Sequence, residues 1–175
     1  MKRAAILMAV LALAAGCDDN DSPTQPSNTG PIVFTAQLSA ANENPAITGA
    51  EANARGNVTI TFNVPRDSAG NITGAGSATF AVQLSGFPGG TQARNAHIHT
   101  GASTANGPVY IDTLLSPAAP ITLDANGNAN ITLTQSSLSQ EQAQTVVTNP
   151  AGHYFNVHTA ANPGGALRGQ LTRTP

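Results

Sequence analysis

The chain has 175 residues, carries a formal charge of −2, and is sparing in both charged (9%) and aromatic (4%) side chains. With no basic patch and few rings to stack on bases, its composition argues against nucleic acid as a partner. Cys17 is the one cysteine, which excludes an internal disulfide, so the fold has to stand on its own hydrophobic core.

Lys2 and Arg3 open the chain, an apolar run of twelve residues follows from Ala4 to Ala15, and Gly16-Cys17 ends it. The run is too short for a permanent membrane helix; a basic start, a brief apolar stretch and small residues make an export signal. Its ending, Leu13-Ala14-Ala15-Gly16-Cys17, is similar to a bacterial lipobox, with Ala14 where a larger aliphatic residue is usual. That similarity implies a signal over residues 1–17, cleavage before Cys17 and lipidation of it, with the membrane as partner through the lipid. A free N-terminal cysteine after ordinary secretion is the alternative. Loss of Lys2 and Arg3 leaves five arginines and no lysine against nine carboxylates.

Residues 18–30 are rich in Asp, Asn, Ser, Thr and Pro and poor in apolar side chains, the composition of a disordered tether. Residues 31–175 are near the commonest size of a single domain. Within them, Phe34, Ala36 and Leu38 alternate with polar neighbours, as do Val58, Ile60, Phe62 and Val64, and then Ala78, Phe80, Val82 and Leu84. Period-two alternation of this kind predicts half-buried strands. Turn signals separate them at 65–70, 86–90, 126–127 and 162–165, the glycine pairs at 89–90 and 164–165 reading as hairpin glycines. One helix is predicted over 139–148, where Ser139 and Gln142 can form a capping box and Pro150 ends the run. The expected fold is all-β: an antiparallel β-sandwich of Greek-key, immunoglobulin-like or superoxide-dismutase-like kind, with one short helix. Ile60, Phe62, Phe80, Val82, Ile98, Phe155 and Val157 are expected in one core.

Hydrolase chemistry of the usual kinds has no carrier in this sequence. There is no Gly-x-Ser-x-Gly elbow, the lone cysteine lies outside the domain, and no lysine follows the glycine pairs as a phosphate cradle would need. Three Asn-x-Thr triplets, at 57, 71 and 130, are what a chain rich in both residues yields by chance.

The histidines are more informative. In Ala96-His97-Ile98-His99 a pleated strand aims both imidazoles to one face, about 7 Å apart by strand rise, while Ile98 turns inward. His158 stands likewise opposite Phe155 and Val157. If the two strands are neighbours, His97, His99 and His158 form a three-imidazole cluster able to hold one copper or zinc ion. Such binding should weaken below the unperturbed imidazole pKa of about 6.5. His153 has the opposite parity to His158 and is expected at a loop or strand edge. Glu43, in a loop after the first strand, and Arg168, on an outward strand position where solvation is the commoner state, are candidates for supporting the ligands from behind.

A resemblance extends this reading. Phe34-Thr35-Ala36-Gln37-Leu38-Ser39, Asn42-Glu43-Asn44-Pro45, Ala96-His97-Ile98-His99 with Gly101 and Asn106-Gly107-Pro108-Val109, Tyr154-Phe155-Asn156-Val157-His158-Thr159, and Arg168-Gly169-Gln170-Leu171 follow one another in an order that resembles the CHRD domain first described in chordin. The match runs from about residue 32 to 173. Asn44 and Ala166 depart from the family's usual proline and acidic residue. The arrangement is also similar to copper/zinc superoxide dismutase, where positions matching His97, His99 and His158 hold copper and one matching Arg168 guides the anion. Residues 100–110 contain no histidine or aspartate, so the zinc half of such a site is missing.

Together these readings give an exported CHRD-like module of the bacterial cell envelope, periplasmic or surface-exposed, that binds one copper or zinc ion and is more a binding protein than an enzyme. A structural or adhesive scaffold without metal, and a weak dismutase-like redox enzyme, are the alternatives.

Overall fold

The computed structural model describes residues 30–175; the expected signal over 1–17, Cys17 included, and nearly all of the tether over 18–30 lie outside the described residues. Alternation builds the first three strands, β1 (Ile32–Ser39), β2 (Arg55–Asn63) and β3 (Gly76–Ser85). Their inward residues, among them Phe34, Ile60, Phe62 and Phe80, are fully buried while their neighbours face out. Pairing is antiparallel and continuous, from Ile32↔Phe62 to Ser39↔Arg55 and from Arg55↔Ser85 to Asn63↔Ser77. A one-residue slip would turn every one of these aromatic rings to water, so burial fixes the register.

Seven further strands follow: β4 (Gln92–Thr100), β5 (Val109–Asp112), β6 (Ile121–Thr122), β7 (Ala129–Leu138), β8 (His153–Thr159), β9 (Leu167–Gln170) and β10 (Thr172–Arg173). The sheet runs β5-β4-β8-β9-β1-β2-β3-β7, with β6 on β4 and β10 on β1. Three consecutive strands, β1 to β3, pair in order, and β9, arriving after five further strands, lies on the other side of β1. The sheet curls until its two halves face each other. Phe80 of β3 and Phe155 of β8, far apart along the sheet, stack at 5.9 Å between ring centroids across the interior. All seven residues expected in the core are at most 2% exposed.

The curled sheet is nearly closed. Gln135 of β7 donates its amide to the Asp112 carbonyl of β5 at 3.2 Å, joining the two ends of the strand path. The helix α1 (Gln140–Thr148) lies over the same seam, Gln142 donating to the Tyr110 carbonyl at 2.8 Å. Its expected capping box is present, with Gln142 N–H on Ser139 Oγ and Ser139 N–H on Gln142 Oε1. Ala143 and Val146 bury its inner face.

One turn differs from expectation. Gly89-Gly90 does not close a hairpin, because β3 pairs with β7 and β4 with β8. It carries the chain from one half of the sandwich to the other, at a point where a Cβ on Gly89 would meet the Ala125 carbonyl at 2.3 Å. Asn126-Gly127 makes a similar crossing, its turn held by Asp124 Oδ1, which accepts from the N–H groups of Asn126 and Asn128. Gly164-Gly165 does join paired strands, β8 and β9.

Candidate metal centre

β4 and β8 are neighbours, so the condition for a histidine cluster is met. Ile98, Phe155 and Val157 anchor the dry face of this pair, which leaves His97, His99, Tyr154, Asn156 and His158 on the other. Register then orders that face. One row of cross-strand partners runs Asp112, His97, Asn156, Arg168, Ser39 over five strands, and the next contains His99, Tyr154 and Gln170. His158 sits opposite Asn95, diagonal to His97.

One ring nitrogen from each of His97, His99 and His158 lies within 4.8 Å of the others. His97 Nδ1 and His158 Nε2 are 3.2 Å apart, close to the ~3.3 Å edge of a tetrahedron with bonds of about 2.0–2.1 Å. The outer nitrogens settle two of the tautomers. His99 Nδ1 is 3.0 Å from the Gly107 carbonyl and His158 Nδ1 is 2.9 Å from the Pro163 carbonyl. A carbonyl can only accept, so both Nδ1 atoms carry the proton and both Nε2 atoms present lone pairs to the centre. His99 Nε2 is buried with no hydrogen-bond partner. On His97 the outer nitrogen is Nε2, 3.7 Å from Asp112 Oδ1.

Burial holds all three imidazoles neutral. It lowers His97 to about 4, with the charges of His158 and His99 adding to the effect and Asp112 opposing it. His99 and His158 are lowered by the same desolvation, partly offset by their bonds to the Gly107 and Pro163 carbonyls. Neutral rings with converging lone pairs are what ligation of a divalent ion requires, without first displacing protons at neutral pH. The onset of proton competition therefore falls below the 6.5 expected from unperturbed imidazole.

The ring of His99 rests on Tyr154, centroids 4.9 Å apart and planes within 5°. Arg168 in turn places its guanidinium carbon 3.5 Å from the Tyr154 centroid. Contrary to the solvation expected of an outward strand position, Arg168 is 1% exposed. Strand parity gave its face, but the loop 101–108 covers that face, and Arg168 donates to the Ala102 and Ala105 carbonyls and to Asn106 Oδ1. The guanidinium thus binds the loop that supplies the Gly107 carbonyl to His99, and its terminal nitrogens are committed there rather than open to a passing anion.

Glu43 does come beside the site. Its Oε1 accepts from Asn156 Nδ2 at 2.6 Å, and Asn156 is the direct cross-strand partner of His97. Burial pushes the carboxyl up to about 7, against the opposing pull of Arg168 and Asn156. His153 opens β8, is buried, and bonds the Asn149 carbonyl through Nδ1 at 2.9 Å, away from the cluster.

Two residues escaped the sequence reading. Asp112 lies on a four-residue strand, too short for its parity to be anchored. Glu51 is buried in a short helical turn and accepts from Thr159 Oγ1 at 2.8 Å and Asn162 Nδ2 at 2.6 Å. It thereby steadies the loop whose Pro163 carbonyl orients His158.

The family model for the CHRD domain matches residues 34–171, and the chain belongs to that family. No curated protein matches it.

Proposed function

We propose that this CHRD-family chain is an exported, lipid-anchored module of the bacterial cell envelope that holds one copper or zinc ion through His97, His99 and His158. One observation carries the metal assignment: three neutral imidazoles converge, and the outward nitrogen of each faces a carbonyl or carboxylate. Outer partners of this sort orient metal-ligating histidines and raise their basicity. Three neutral nitrogen donors leave a coordination position free, and the divalent affinity series favours copper over zinc for such donors. Support for export and anchoring is the Lys2-to-Cys17 pattern alone.

His97, His99 and His158 would hold the ion, which would supply Lewis acidity or, as copper, one-electron redox capacity. Tyr154 and Arg168 keep His99 in place, and Glu51 keeps His158 in place through the 159–164 loop. Binding rather than turnover is the better reading, since the arginine expected to guide an anion is bonded to the 101–108 loop.

Metal analysis of the mature protein from its native host, followed by calorimetry with Cu(II) and Zn(II), tests the assignment. One equivalent bound saturably supports it; no saturable binding removes it in favour of a metal-free scaffold. Detergent partitioning tests the anchor: the mature chain should enter the detergent phase, and Cys17→Ser should stay unprocessed or become soluble.

A further inference from the structure

The geometry points to Asp112 as a positioning residue that selects the His97 tautomer, leaving the Nδ1 lone pair free for a divalent cation. This rests on the metal-binding reading above and adds the device that completes the ligand set. Carbonyls fix His99 and His158, but His97 alone has a choice. Protonated on Nδ1, it would donate to His158 Nε2 at 3.2 Å, occupying the His158 lone pair and leaving its own on the outer Nε2. Protonated on Nε2, it faces Asp112 Oδ1, 3.7 Å away, and offers Nδ1 to the centre. A carboxylate beside Nε2 favours the second arrangement.

The backbone around Asp112 is built to hold that carboxylate. Asp112 is the direct cross-strand partner of His97. Its Oδ1 accepts the Leu114 N–H at 2.8 Å, and Leu114 has φ +68°, the one non-glycine residue with positive φ among the described residues. Leu114 is 60% exposed, so packing does not explain a conformation that costs a leucine strain. On either side the turn is pinned: Thr113 Oγ1 donates to the Ala96 carbonyl at 2.7 Å, next to His97, and Leu115 is buried in the core. A strained turn tied to the ligand strand and closing on one carboxylate places that carboxylate and little else.

The test uses 15N NMR of the metal-free mature chain, which reads imidazole tautomers whether or not metal binds, with Asp112→Asn as the variant. Asparagine keeps an acceptor for Leu114 N–H and removes the charge. The wild type should hold His97 mainly as the Nε2–H form, and Asp112→Asn should shift it to the Nδ1–H form while His99 and His158 stay unchanged. Zn(II) affinity should fall by about ten- to a hundredfold in the variant. Should Asp112→Asn perturb the fold, Asp112→Glu, which restores the charge, is to keep the Nε2–H form. Identical His97 tautomers in wild type and Asp112→Asn would overturn the inference, as would equal Zn(II) affinities. Absence of Zn(II) binding by the wild type would remove the metal reading and leave the tautomer result to decide Asp112 alone.

Discussion

Arg168 stacks its guanidinium 3.5 Å from the centroid of Tyr154, and the pair forms the floor under His99. Polar groups lock the arrangement from above, because the same guanidinium binds the Ala102 and Ala105 carbonyls and Asn106. Arg168→Ala should therefore strand buried acceptors and open a cavity, costing about 3 kcal/mol or more in urea unfolding. Arg168→Lys should recover little of it, since an ammonium cannot reproduce a planar fork that also stacks. Metal affinity should drop with either change; unchanged affinity and stability would show that the loop holds His99 without the arginine.

Phe80 is fully buried against Phe155 where the two halves of the sandwich meet. Its truncation to Ala should cost about 3–5 kcal/mol by equilibrium denaturation, the lost transfer energy plus the cavity. A value under about 1 kcal/mol would mean that the halves are not packed through this contact.

Glu43 supplies a pH signature separable from the histidines. Its folded-state pKa, raised to about 7 by burial, lies above the ordinary 4.5, so its contribution to stability is full below 4.5 and is lost as pH rises through 7. Glu43→Gln has no charge to bury. Relative to wild type, the variant should gain stability between pH 5 and pH 8 in urea titrations. If it instead loses stability over that interval, the ionised carboxylate is stabilised by Arg168 and burial is the weaker influence.

What could be read from the chain, and what could not, follows from how each residue is placed. Ile98 inward forces His97 and His99 outward by parity alone, and the same holds for Val157 and His158, so the face that each of the three histidines occupies is legible in the sequence. Whether β4 and β8 touch was only a condition, since pairing between strands distant in sequence leaves no local trace. Arg168 shows the limit of parity: it names the face, but the 101–108 loop that covers the face has no periodicity to announce it. Asp112 and Glu51 depend on a short strand and a short turn, and Gly89-Gly90 reads as a hairpin until the partners of β3 and β4 are known.

Protons should compete with metal later than ordinary imidazole would allow. His97 is lowered to about 4 and His99 and His158 are lowered by the same burial. Between pH 7.5 and 6.5 the Zn(II) affinity should therefore change little, and it should fall steeply as pH approaches 4, because each ligand must be deprotonated. A midpoint at 6.5 or above would indicate rings more hydrated than this packing implies.

Single replacements distinguish a shared site from four unrelated histidines. His97, His99 and His158 each direct one nitrogen to a common centre, so His→Ala at any of them removes one of three ligands and should weaken Cu(II) or Zn(II) binding by orders of magnitude. His153 is a useful control: it lies on the same strand as His158 but has the opposite parity, and it bonds the Asn149 carbonyl. Its burial makes His153→Ala a stability change, about 1–3 kcal/mol from the lost packing and the unpaired carbonyl. The metal stoichiometry of that variant should nevertheless remain one per folded chain. Calorimetry and unfolding measured together separate these effects. Equal losses of affinity across all four variants would point to damage to the fold and end the three-histidine assignment.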